Sequence, residues 1–131
     1  MKKKKTIFIF GNPLLEFDSK PIKMLSGLKK EFPEIEFKVI DPNENLKPVN
    51  KEMIIIDTVE GIDKVQVIDD INLIVDGPKY TPHDLDLGFN IKLLHKLGKL
   101  DKILIFGIPM EGDVEPIFGE LVKEIQKNKI K

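Results

Sequence analysis

The sequence contains no cysteine and no arginine among its 131 residues. Without cysteine the chain can form no disulfide, no zinc–thiolate site and no iron–sulfur cluster, and it has no thiol nucleophile. The absence of cysteine is typical of a cytoplasmic protein, and we expect that localisation. Without arginine, no guanidinium group is available to bind phosphate or carboxylate groups through two parallel hydrogen bonds.

The chain also lacks an excess of charge of either sign. It has 21 lysines and 22 acidic residues, which gives a formal net charge of -1 at pH 7. Because the two signs are interspersed, we expect no nucleic-acid partner. The basic run Lys2 to Lys5 precedes an apolar run at 6–10 that is shorter than the apolar region of a signal peptide, which has roughly 7–15 residues, so no signal peptide is expected. No stretch reaches the roughly 20 apolar residues of a membrane span, so no membrane-spanning segment is expected.

Several familiar catalytic motifs are absent from the sequence. It has no G-x-S-x-G elbow, so a Ser-His-Asp triad is unsupported, and no H-E-x-x-H, which excludes a zincin. The Gly-rich loops that bind phosphate groups are absent too. Gly11 follows the first apolar run alone, and Pro13 removes one backbone donor from the turn after it.

What the sequence does contain is an alternation of apolar runs and amphipathic segments. Continuous apolar runs predict three buried strands, at 5–10, 53–56 and 102–106. Residues 35–40 alternate apolar and charged side chains, which predicts a half-buried or edge strand. The short apolar runs 64–68 and 71–75 predict a hairpin or a bent edge strand. Residues 41–51 are polar, contain two prolines and are predicted to form a loop.

Apolar residues at helical spacing predict three helices, over 20–31, 82–97 and 114–127. Ser19 is the predicted N-cap of the first helix, and Gly98 is the predicted C-cap of the second. Leu97 is expected on the buried face of the second helix. The second and third buried strands are expected to end at Asp57 and at Gly107.

The order of these elements predicts an α/β fold in a single domain, residues 1–131. Continuous apolar strands are typical of a sheet that is covered on both faces. We therefore expect a three-layer α/β/α sandwich whose central sheet has about five strands, most of them parallel.

Two acids and one histidine follow the predicted strands. Asp18 either caps the helix after it or contributes to a site. Asp57 comes directly after three isoleucines with no helix to cap, so loop amides or a ligand would hold it. His83 falls in the first turn of a helix, where the helix dipole favours the neutral imidazole that a metal requires, although it can equally be a plain surface residue. His95 lies among lysines on the expected solvated face, and we assign it no role.

These three side chains would meet if their loops converge at the carboxyl edge of the sheet, where open α/β sheets bind ligands. Asp18, Asp57 and His83 would then supply two oxygens and one nitrogen and leave other coordination positions open. Such a donor set suits nickel, zinc or cobalt and binds them weakly. Weak, open binding fits the inspection of a metal held by another molecule.

In this order, the segments resemble the nickel-iron hydrogenase maturation endopeptidases. Members of that family begin with a strand and a Gly-Asn-x-Leu loop followed by a pair of acids, and the second acid falls on Asp18. A strand that ends in Asp gives Asp57, and a Ser/Thr-x-His-x-Leu segment that opens a helix gives His83. The later segment Phe106 to Pro109 is similar to the Gly- and Pro-containing segment after the family's last central strand.

The resemblance implies a function and a site. Such enzymes recognise nickel already inserted in a hydrogenase large-subunit precursor and remove its C-terminal extension. Asp18, Asp57 and His83 would be the catalytic residues and would contact the nickel of the substrate. The chain departs from the family at Phe17, which replaces the first acid of the pair, and at Ser19, which replaces a glycine. Two alternatives therefore stay open: a non-catalytic maturation chaperone or metal-checking homologue, and an unrelated small α/β binding domain.

Overall fold

The computed structural model of the protein describes residues 5–10, 24–40, 48, 51–59, 62–70, 85–109 and 112–128. These residues form five strands and three helices. In chain order they are β1 (Lys5–Phe10), α1 (Leu25–Glu31), β2 (Ile35–Ile40), β3 (Glu52–Val59), β4 (Gln66–Ile68), α2 (Leu85–Lys96), β5 (Lys102–Pro109) and α3 (Val114–Lys127).

The strands form one mixed sheet with the order β2-β1-β3-β5-β4. The neighbours β2, β1, β3 and β5 are parallel to one another, and β4 pairs with β5 in the antiparallel direction. The α/β fold and the mostly parallel sheet of about five strands are therefore confirmed for the described part of the chain. In the described part of the chain, β2 and β4 stand at the two ends of the strand order, so the run 35–40 forms an edge strand, one of its two predicted alternatives. Whether the run 64–68 belongs to a hairpin stays a prediction, because 71–75 lies outside the described residues.

Apolar side chains cover both faces of the sheet. Alternate residues of a strand point to opposite faces, so each inner strand contributes to two clusters. The larger cluster packs the sheet against α1 and α3, and it includes Ile7, Ile9, Leu28, Ile54, Ile56, Phe106, Ile108, Ile117, Leu121 and Ile125. The smaller cluster includes Phe8, Phe10, Met53, Ile55, Ile103 and Ile105 from the sheet and Ile91 from α2. The complete three-layer sandwich stays a prediction.

The two central strands are longer than the sequence indicates. The prediction that the second buried strand ends at Asp57 is wrong, because β3 continues to Val59. The prediction that the third stops at Gly107 is also wrong, because β5 continues to Pro109. The two extensions pair with each other, from Asp57 opposite Gly107 to Val59 opposite Pro109. Each strand therefore supplies the partner that keeps the other extended.

The helices follow the predicted pattern with local differences. α3 has the predicted bounds. α1 begins at Leu25, later than predicted, and residues 20–23 lie outside the described residues, as does Ser19. Gly98 adopts φ +75 just beyond α2, which confirms it as the C-cap because this left-handed conformation favours glycine.

Two apolar side chains are more exposed than predicted. Leu97 is 59% exposed, because the chain has left the helix at this residue and no longer follows the spacing of the buried face. Val39 is 38% exposed near the end of the edge strand, although it alternates in phase with the buried Phe37. Of the predicted loop 41–51, Pro48 and Lys51 are described, and the run 71–75 lies outside the described residues.

A hydrogen bond joins α3 to the chain that leads into β4. The backbone N–H of Val65 donates to Oε2 of Glu120 at 2.9 Å. A charged acceptor makes this bond stronger than one between neutral groups. It fixes the start of the antiparallel edge strand relative to the helix.

In the described part of the chain, no helix has the length and apolar character needed to cross a bilayer.

Two helical glycines offer a matched test of how closely α1 and α3 pack. A Cβ added at Gly27 would lie 2.8 Å from Cζ of Phe118, whereas a Cβ added at Gly119 would meet nothing within 4 Å. We expect Gly119→Ala to raise the free energy of unfolding by about 0.5–1 kcal/mol, through helix propensity alone. Gly27→Ala gains the same propensity but forces the Phe118 ring to move, so it should be less stable than Gly119→Ala by about 1 kcal/mol or more.

Urea unfolding followed by far-UV circular dichroism measures both variants against the natural chain. An equal gain in stability from the two substitutions would contradict the close approach of α1 to α3.

Candidate functional site

The described part of the candidate site is the carboxyl-terminal half of β3. Asp57 is 1% exposed there, and Thr58 beside it is 0% exposed. Among the described residues, Asp57 is the one charged side chain that is buried. β3 lies between β1 and β5, so the acid sits within the sheet and not on a loop beyond it.

The local sequence explains why this carboxylate is buried. Alternation along β3 puts Asp57 on the same face as Met53 and Ile55, which belong to the smaller apolar cluster. A carboxylate withdrawn from water loses several kcal/mol of solvation unless charges or hydrogen bonds compensate it. A residue that breaks the local pattern in this way is a candidate for function.

Gly107 of β5 stands directly opposite Asp57. A Cβ added at Gly107 would lie 2.7 Å from Cγ2 of Val59 and 3.6 Å from the carbonyl oxygen of Gln66. The side chain of Val59 therefore fills the space that a side chain at position 107 would need. The residue of β5 that pairs with Asp57 is a glycine, so no β5 side chain lies directly beside the carboxylate.

Thr58 presents a second polar group on the opposite face of β3. Within the described part of the protein, its Oγ1 atom is buried and has no hydrogen-bond partner. A buried hydroxyl without a partner costs roughly 1–3 kcal/mol. Sequence reasoning did not select Thr58. A strand that ends at Asp57 would put Thr58 in a loop, where a polar residue is ordinary. The sign of a second candidate in the sequence is the polar residue immediately after the acid.

The other two predicted site residues, Asp18 and His83, lie outside the described residues. Whether the three side chains meet therefore stays a prediction. Among the residues that the structure does describe, no group of three or more histidine, aspartate or glutamate side chains is placed to hold a metal ion.

His95 has a structural contact. It is partly buried between exposed lysines, and its Nδ1 lies 3.0 Å from the carbonyl oxygen of Leu100. A carbonyl oxygen only accepts hydrogen bonds, so Nδ1 carries the proton in this contact. The bond ties the end of α2 to the turn that precedes β5. Leu100 is fully buried, so its side chain anchors that turn in the core.

Comparison of the chain with protein-family models, with curated proteins and with solved structures gave no match.

The close approach of β3 to β5 beside Asp57 can be tested by adding one methyl group. We expect Gly107→Ala to lower the free energy of unfolding by about 1–3 kcal/mol, because Val59 is buried and must shift. In a Val59→Ala background the obstructing Cγ2 atom is gone, so the same substitution should cost much less. Chemical unfolding of the four proteins of this double-mutant cycle gives the coupling between the two positions. A penalty that is unchanged in the Val59→Ala background would rule out the proposed contact.

Proposed function

We propose that the protein is an endopeptidase that recognises nickel in a hydrogenase large-subunit precursor and removes the C-terminal extension of that precursor. The observation that supports this proposal is the buried carboxylate of Asp57 in the carboxyl-terminal half of the central strand β3. The carboxyl ends of parallel strands are the edge at which open α/β sheets bind ligands. The substrate class comes from the resemblance of the sequence segments, in their order, to the nickel-iron hydrogenase maturation endopeptidases.

In this proposal the nickel belongs to the substrate. Asp57 contributes a carboxylate oxygen from a rigid strand, and Asp18 and His83 would contribute an oxygen and an imidazole nitrogen. Three ligands from this chain leave coordination positions for the precursor's own groups and for a water molecule.

The sequence supplies no conventional nucleophile, so hydrolysis by water is the simplest chemistry for the cleavage. A divalent ion lowers the pKa of a bound water molecule and polarises a nearby carbonyl group. One carboxylate of the site would accept the proton of the attacking water. Asp57 suits the task of holding geometry, because it pairs with β5 within a strand, and a strand positions its side chain more accurately than a loop does.

Asp57→Asn tests the proposal against a matched control. The substitution removes the charge and keeps the volume, and Asp101→Asn makes the same change at an exposed carboxylate just before β5, at the opposite edge of the parallel strands. We expect Asp57→Asn to weaken Ni²⁺ binding in calorimetric titrations by about tenfold or more, because one of few ligands is lost. Asp101→Asn should bind as the natural chain does.

The cleavage itself is measured by mass spectrometry of a nickel-loaded precursor mixed with each purified variant. The natural chain and Asp101→Asn should release the C-terminal peptide, and Asp57→Asn should not. Nickel-dependent binding of the precursor without any mass loss would instead identify a non-catalytic chaperone or metal-checking protein. Ni²⁺ titrations that are silent for every variant would contradict both functions and favour an unrelated binding domain.

A further inference from the structure

The edge strand β2 has one neighbour in the described part of the chain. All six of its residues pair in register with β1, from Ile35 opposite Lys5 to Ile40 opposite Phe10. β2 stands at the end of the strand order, so its other edge presents backbone N–H and C=O groups without a described strand beside them. An edge of this kind is a template for pairing with another chain.

The side chains of β2 are complementary to a second copy of β2. In an antiparallel pair centred on Phe37, Glu36 of one copy stands opposite Lys38 of the other, and the symmetry repeats this contact. Both side chains are exposed. The same register places the 38%-exposed Val39 opposite Ile35 of the second copy. Opposite charges and apolar pairs in directly facing positions stabilise antiparallel strands.

Within the six residues of β2, the neighbouring registers lack this complementarity. Centring the pair on Lys38 brings two lysines face to face, and centring it on Glu36 brings two glutamates together. The registers centred between residues put a charged side chain opposite an apolar one. The register centred on Phe37 therefore pairs the opposite charges of β2. A two-fold axis at Phe37 relates the two copies, so both use the same surface and the contact is isologous.

We propose that β2 pairs antiparallel with β2 of a second copy of this chain, which joins the two sheets into one continuous sheet across a two-fold axis. The contact is a strand junction and not a broad apolar face, so the dimer is weak and dependent on concentration. This inference is independent of the proposed peptidase activity.

Charge substitutions at the junction give a self-checking experiment. In Glu36→Lys two lysines face each other across the axis, and in Lys38→Glu two glutamates do, so each variant alone should raise the dimer dissociation constant about tenfold or more. An equimolar mixture of the two variants restores both opposite-charge pairs and should form a heterodimer. The double variant E36K/K38E reverses both charges and should dimerise like the natural chain. Sedimentation velocity over a concentration series reports all four cases.

A matched pair of variants on α1 controls for net charge. Glu31→Lys and Lys29→Glu change exposed residues by the same charges as the junction variants. Each should dimerise like the natural chain, and their mixture should show no added association. The proposal is overturned if the natural chain stays monomeric into the millimolar range, if the junction variants dimerise as well as the natural chain, or if their mixture does not recover the dimer.

Discussion

The pairing of β3 with β5 is the constraint on which the rest of the structure depends. The two strands are in register over eight residue pairs, from Glu52 opposite Lys102 to Val59 opposite Pro109. Their apolar residues supply both clusters, so the helices pack against surfaces that this ladder defines. The same ladder carries Asp57 into the interior of the sheet and holds it opposite a glycine. Stability and the candidate site therefore rest on one set of hydrogen bonds.

The polar groups at the end of this ladder interrupt a strand that is otherwise apolar, which makes them candidates for function. Asp57 and Thr58 point to opposite faces of a buried strand, where valine or isoleucine would pack better. Carboxylates on rigid elements hold a ligand with less positional freedom than those on loops. A strand that carries a buried acid and then a buried hydroxyl without a described partner is thus the part of the described fold that breaks the local apolar pattern.

Much of the fold follows from the sequence because local patterns determine it. α3 has the predicted bounds, since its apolar stripe is uninterrupted, and the alternation at 35–40 predicts a half-buried or edge strand, which agrees with β2. The ends of β3 and β5 were not predictable from either segment by itself. Asp57 and Gly107 each end an apolar run locally, and only their mutual pairing shows that both strands continue. The sequence singles out Asp57 because an acid directly follows an apolar run. Its burial depends on the pairing of β3 with β5, which neither segment shows by itself.

The central claim is that Asp57 contacts a metal ion together with Asp18 and His83. A crystal of the protein soaked with Ni²⁺ and measured for anomalous scattering tests it most directly. The proposal predicts one ion about 2.0–2.5 Å from a carboxylate oxygen of Asp57, with an oxygen of Asp18 and a nitrogen of His83 in the same coordination shell. An ion bound elsewhere would contradict the claim. So would side chains of these three residues lying more than about 10 Å apart, far beyond the reach of one coordination shell.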